Sequence, residues 1–169
     1  MPDGKTHNKI NIIILFLILI GLHSPLCSKT LPLEYLSPGS IALFAFSFLV
    51  GTYYLSPDLD IKSDPFKRWG PFRYIWWPYQ KLFGHRGMLH NPILGPLIII
   101  LTVGLVFVAP VVLALDLSAK EVPQEYLISL FAGIVFSIEI HIVADALSTK
   151  KKRTATKIKK KLKGTNKKK

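Results

Sequence analysis

Apolar residues run along this chain in long unbroken stretches, not in the alternation of a strand or the one-sided stripe of a surface helix. Four windows, approximately 10–26, 39–55, 92–115 and 126–147, are almost wholly apolar. Hydrocarbon about 30 Å thick needs roughly 20 such helical residues per crossing, so the pattern predicts an all-α polytopic membrane bundle of about four transmembrane helices. The second window is short, and His23, Ser24 and Pro25 interrupt the first. Two starts are marked by Ser37-Pro38 and Asn91-Pro92, each an N-cap side chain followed by a first-turn proline.

Charge orients these windows. The chain has 169 residues, is 50% hydrophobic and carries a formal charge of +12. Residues 1–9, 56–91 and 148–169 hold twenty of the twenty-two Lys and Arg, leaving only Lys29 and Lys120 for the loops between. Basic residues gather on the cytoplasmic side, so both termini and the long middle segment are expected there, in a multi-pass protein of the cell membrane. Residues 1–149 then form the embedded domain, with 56–91 as its cytoplasmic and interfacial loop, and 150–169 form a tail. Lys5 and Lys9 ahead of an apolar run resemble a cleavable leader, but Ser24, Pro25 and Leu26 before Cys27 make a poor cleavage site.

On this map the candidate chemistry collects at one edge. His7 precedes the first helix, Asp58 and Asp60 of SPDLD follow the second, His85 and His90 of GHRGMLH precede the third, and His141 and Asp145 of HIVAD end the fourth. Cys27 is the lone cysteine, which excludes an internal disulfide or a thiolate cluster, so a metal has to be held by nitrogen and oxygen. Imidazole and carboxylate are ligands for zinc first, with manganese and iron as alternatives, and seven candidates exceed the need of one tetrahedral ion. A two-ion centre bridged by an Asp carboxylate is therefore conceivable, and such centres lower the pKa of bound water toward about 7.

Local pattern supports these pairings. His141 and Asp145 are four apart and share a helical face with Gly133 and Ser137, a small and polar stripe suited to close helix contact. Asp58 and Asp60 alternate, which on an extended segment puts both carboxylates on one side. Gly84 and Gly87 let the loop carrying His85 and His90 bend. Arg86 is the expected stabiliser of charge on a phosphoryl oxygen, with a salt bridge to Asp58 or Asp60 as the alternative. Glu139, about 200° around the helix from His141, is left without a place in the site, and His23 lies at the opposite edge. The same residues also admit a structural reading, in which metal or hydrogen-bonded His–Asp pairs lock helix ends together. A transporter would need polar residues through the bilayer, and the first three windows hold almost none.

MPDGKTHNKI, SPDLD, the aromatic RWGPFRYIWWPYQKLFGHRGMLHN and HIVAD together resemble a family of uncharacterised bacterial and archaeal membrane proteins described as metal-binding. More distantly, PD-x-D, GHRG-x-x-H and H-x-x-x-D are similar to the YdjM-like inner-membrane metal-dependent hydrolases. The resemblance covers most of 1–149 and implies a metal held by His7, Asp58, Asp60, His85, His90, His141 and Asp145, with hydrolysis as the implied activity. Leu89 and Asn91 depart from the hydrolase-like pattern, where Thr and Ser flank the histidine.

Two further segments suggest surroundings. The stretch 66–83 interleaves Trp69, Phe72, Tyr74, Trp76, Trp77 and Tyr79 with Lys67, Arg68, Arg73 and Lys81, which suits the headgroup layer, and Pro65, Pro71 and Pro78 exclude one long helix. The last twenty residues carry twelve basic residues and no acid. They are expected to be disordered in water and to attract anionic headgroups; without aromatics to stack bases, nucleic acid is a weaker expectation, and a protein partner is undefined.

Overall fold

A computed structural model describes the backbone of residues 4–82, 88–114 and 122–165, and every element among them is helical. Helix α1 (Gly4–Leu22) leads to a short α2 (Pro25–Thr30), and α3 (Pro38–Tyr53) follows. Ser37 caps α3 by accepting from the Ser40 N–H, with Pro38 in the first turn, as its sequence predicts. A 3-10 turn, Pro57–Asp60, then α4 (Asp64–Arg68), a 3-10 stretch Gly70–Trp76, α5 (Trp77–Leu82) and a 3-10 turn Met88–His90 form the middle segment. Helix α6 (Leu94–Val103) passes through a π-helical turn, Gly104–Val108, into α7 (Ala109–Ala114), and α8 (Gln124–Thr165) completes the chain. The π turn is closed by the Ala109 N–H on the Gly104 carbonyl, immediately before Pro110, which has no N–H to offer.

Among the described residues, three helical stretches are long and apolar enough to cross a membrane: Pro38–Asp60, Leu94–Ala114 and Gln124–Thr156. The apolar part of α1, Thr6–Leu22, is shorter. Many of their large apolar side chains face outward, among them Phe16, Phe46, Leu101, Leu105 and Phe136. The buried core lies instead towards one end, where Leu55, Leu59, Phe66, Trp76, Leu89, Ile99, Ile134 and Ile138 close the middle segment over the helices.

Helices α3 and α8 run parallel and supply the main contact of the bundle. Their interface is reciprocal: Gly51 receives the Ser137 hydroxyl, and Gly133 receives the Ser47 hydroxyl together with the Phe44 carbonyl. A β-carbon on either glycine would collide with these atoms, so the S-x-x-x-G of one helix and the G-x-x-x-S of the other fix both distance and register. The stripe read from Gly133 and Ser137 is therefore in the interface. Helix α1 packs against both α3 and α8. Asn11, 2% exposed, donates from Nδ2 to Thr52 Oγ1 and to the Ser137 carbonyl, each at 3.1 Å, and so ties the three helices together.

Several expectations need correction. His7 lies within α1, not before it, because nothing from Gly4 onward breaks the helix. Asp58 and Asp60 sit on a 3-10 turn instead of an extended segment, since Ser56 accepts from the Asp58 N–H and Pro57 presets the first turn. Helix α8 does not end after Asp145 and continues to Thr165. Extending an established helix carries no nucleation cost, and Lys and Ala are good helix formers.

Candidate metal centre

Four parts of the chain deliver polar side chains to the same place. Asp58 and Asp60 arrive from the turn after α3, His90 from the turn before α6, His7 from the first turns of α1, and His141 with Asp145 from one face of α8. His7, Asp58, Asp60, His141 and Asp145 are buried, and the His90 side chain is only 7% exposed. Asn91 accepts from the Ile93 and Leu94 N–H groups, capping α6, and Gly95 lets the Leu89 carbonyl lie against that helix. The His90 turn is thus seated on both sides.

Distances among these groups define a cluster. Asp58 Oδ1 is 3.4 Å from His90 Nε2, and Asp58 Oδ2 is 3.4 Å from His141 Nε2. His90 Nδ1 lies 3.5 Å from Asp60 Oδ2, so two carboxylates grip opposite nitrogens of one ring. His7 Nε2 lies 3.5 Å from Asp145 Oδ1, and its ring stacks on that of His141 with centroids 4.0 Å apart. One donor atom from each of Asp58, His90 and His141 lies within 4.8 Å of the others.

These separations are long for charge-assisted hydrogen bonds, which run about 2.7–2.9 Å. Asp58 Oδ1, His141 Nε2 and His7 Nδ1 are buried without a hydrogen-bond partner, an expensive arrangement for polar atoms. The spacing suits a different purpose. Ligands about 2.0–2.1 Å from a tetrahedral ion stand roughly 3.3–3.4 Å from one another. Asp58 meets that spacing with His90 through one oxygen and with His141 through the other, and Asp58, His90 and His141 form a candidate donor set for a divalent ion.

The site was only partly visible in sequence. Of the seven expected ligands, the structure brings His7, Asp58, Asp60, His90, His141 and Asp145 to one end of the bundle, while His85 and the expected charge-stabilising Arg86 lie outside the described residues. Glu139 is half-buried outside the cluster, and exposed His23, just past α1, sits against the Leu19 carbonyl of that helix. Supporting residues were missed. The Ser56 hydroxyl lies 3.4 Å from His141 Nδ1, and Gln80 Nε2 donates to the Leu59 and Ile61 carbonyls at 3.2 Å, bracing the turn that carries both aspartates. Arg68 and Trp69 donate to the Tyr53 and Tyr54 carbonyls, satisfying the open end of α3, and Trp69 packs edge-on against Trp76 and at a tilt against Phe107. The aromatic segment is a splint for the cluster as well as a surface.

Gln80→Ala is expected to lower stability by about 1 kcal/mol through its lost hydrogen bonds. It should also weaken metal binding about tenfold by loosening the turn, measured by thermal melting and metal titration.

Burial opposes the charged form of His90, but Asp58 and Asp60 more than offset it and push the imidazole up to about 9. Its extra proton affinity stabilises the metal-free fold fully below about pH 6.5 and is lost as pH rises through about 9. Chelator-treated protein should therefore melt lower at pH 9.5 than at pH 6, with a smaller difference in His90→Asn. Metal binding needs the neutral ring and releases that proton.

Residues 2–155 match the family described as uncharacterized metal-binding protein (DUF2227), and the chain belongs to that family. It is also similar to an uncharacterized protein of Aquifex aeolicus (strain VF5), 43% identical over 56 residues, which covers 32% of this chain and 40% of the relative. The match thus spans well under half the length of that curated relative. No solved structure matches the chain.

Proposed function

We propose that this chain is an integral membrane protein whose four apolar helices cross the bilayer with both termini cytoplasmic, and that it holds a divalent metal, zinc first, at the cytoplasmic edge. The outward-facing apolar side chains suit lipid as solvent, and the buried His–Asp cluster is the kind of intramembrane-edge polar group that marks a working site. The observation that carries the reading is the 3.4 Å spacing of Asp58 from both His90 and His141.

The centre is read as hydrolytic, acting on a phosphoester or another lipid-borne bond at the inner leaflet. Three protein donors leave a fourth position on a tetrahedral ion, the arrangement of catalytic rather than closed structural zinc sites. A bound ion would polarise the scissile group and make water acidic enough to react near neutral pH. Asp58 holds its place between the two imidazoles, Asp60 and Ser56 orient His90 and His141 from their far nitrogens, and the packed core around Leu59 and Leu89 limits water. Arg86 retains its sequence-based role of countering charge on a phosphoryl oxygen. The basic end of α8 draws anionic headgroups towards the same surface.

The test is hydrolysis of bis-p-nitrophenyl phosphate and of phospholipid in mixed micelles by zinc-reconstituted protein, with Asp58→Asn as control. Turnover lost in the variant is expected. Bound metal with no turnover on any phosphoester or lipid would leave the ion a structural lock between helix ends.

A further inference from the structure

His7 and His141 stack with their planes 19° apart and centroids 4.0 Å apart. An ion bound by an imidazole lies near the ring plane, about 2.1 Å from the nitrogen. Two planes so disposed converge only roughly 10 Å away, far beyond that bond length. The two rings therefore cannot both ligate one ion in good geometry. His141 faces Asp58 and belongs with His90, whereas His7 faces Asp145 at 3.5 Å, against 3.4 Å between Asp58 and each of its imidazoles.

We infer that His7 and Asp145 hold a second divalent ion beside the one assigned to Asp58, His90 and His141. This inference rests on the metal-centre reading above and deepens it. Ions bound in the planes of rings whose centroids are 4.0 Å apart can approach the roughly 3.5–4 Å separation of two-metal hydrolytic centres. Both donors of the second position are buried, and they come from α1 and α8, which Asn11 of α1 ties to each other and to α3. Asn11 is one turn from His7, and Ser137 is one turn from His141, so the shared hydrogen bond fixes the stacking of the two rings.

The experiment counts ions on chelator-stripped, full-length protein in detergent. Zinc is titrated and measured per chain by mass spectrometry, and manganese-loaded protein is examined by electron paramagnetic resonance. Wild type should bind two zinc ions, and His7→Ala and Asp145→Asn should each bind one with unchanged circular dichroism. Two manganese ions at this separation should give a spin-coupled spectrum in wild type that His7→Ala converts to that of an isolated ion. The wild-type spectrum decides the matter even where a variant does not fold. One ion in wild type, unaffected by His7→Ala, overturns the second position and leaves the first standing. Loss of all metal from a folded His7→Ala overturns it too, because His7 would then serve the same ion as His141. No metal in wild type overturns both.

Discussion

Asp58→Asn is expected to lower divalent-metal affinity more than 100-fold while the helices stay assembled. Among the described residues, Asp58 is the one whose two oxygens face two imidazoles, His90 and His141, each at 3.4 Å. The amide keeps the size of the carboxylate but loses its charge and turns one oxygen into a donor, leaving a neutral, mismatched group where an ion needs an anionic ligand. Loss of a residue that only orients a ligand costs about 10–100-fold, and loss of a ligand should exceed that. Competition with a chromophoric chelator measures the affinity, and circular dichroism checks the fold. An affinity within threefold of wild type would remove Asp58 from the site.

The second large effect falls on packing away from the cluster. Gly133→Val should destabilise the protein by about 3 kcal/mol or more, because its β-carbon meets the backbone of Phe44 and Phe48 as well as the Ser47 hydroxyl, and backbone cannot move aside. The parallel register of α3 and α8 would shift, carrying Asp58 away from His141 and abolishing metal binding with it. Gly51→Ala is the informative comparison. Its new β-carbon meets chiefly the Ser137 side chain, so Ser137→Gly should restore much of the lost stability. Thermal melting of the single and double variants in detergent reads both predictions. Equal rescue of Gly133→Val by Ser47→Gly would contradict the account of that contact.

How much of this was legible from residues alone follows from the physics of each signal. Apolar length marks the helices because it depends only on composition within one segment, and the proline-marked starts at Ser37 and Asn91 are equally local. The G-x-x-x-S of α8 was readable as a close-contact stripe. Its complement, Ser47 and Gly51 on α3, was not, because reciprocity exists only once two helices are paired. Asn11 stands four residues after His7 on the same face, a spacing that could have flagged it. Gln80 and Ser56 gave no such signal: one binds backbone carbonyls and the other faces a histidine 85 positions away. The aspartates were expected to share a side of an extended segment. On the 3-10 turn they instead reach opposite nitrogens of His90, which separates their roles: Asp58 faces the cluster and Asp60 holds the far side of the ring.

The most direct test of the central claim is zinc K-edge X-ray absorption on full-length protein loaded with one equivalent of zinc. The account predicts only nitrogen and oxygen donors at about 2.0–2.1 Å, with the outer-shell scattering of two imidazoles, reduced to one in His141→Ala. A shell of oxygen alone, or a wild-type spectrum unchanged by His141→Ala, would contradict it.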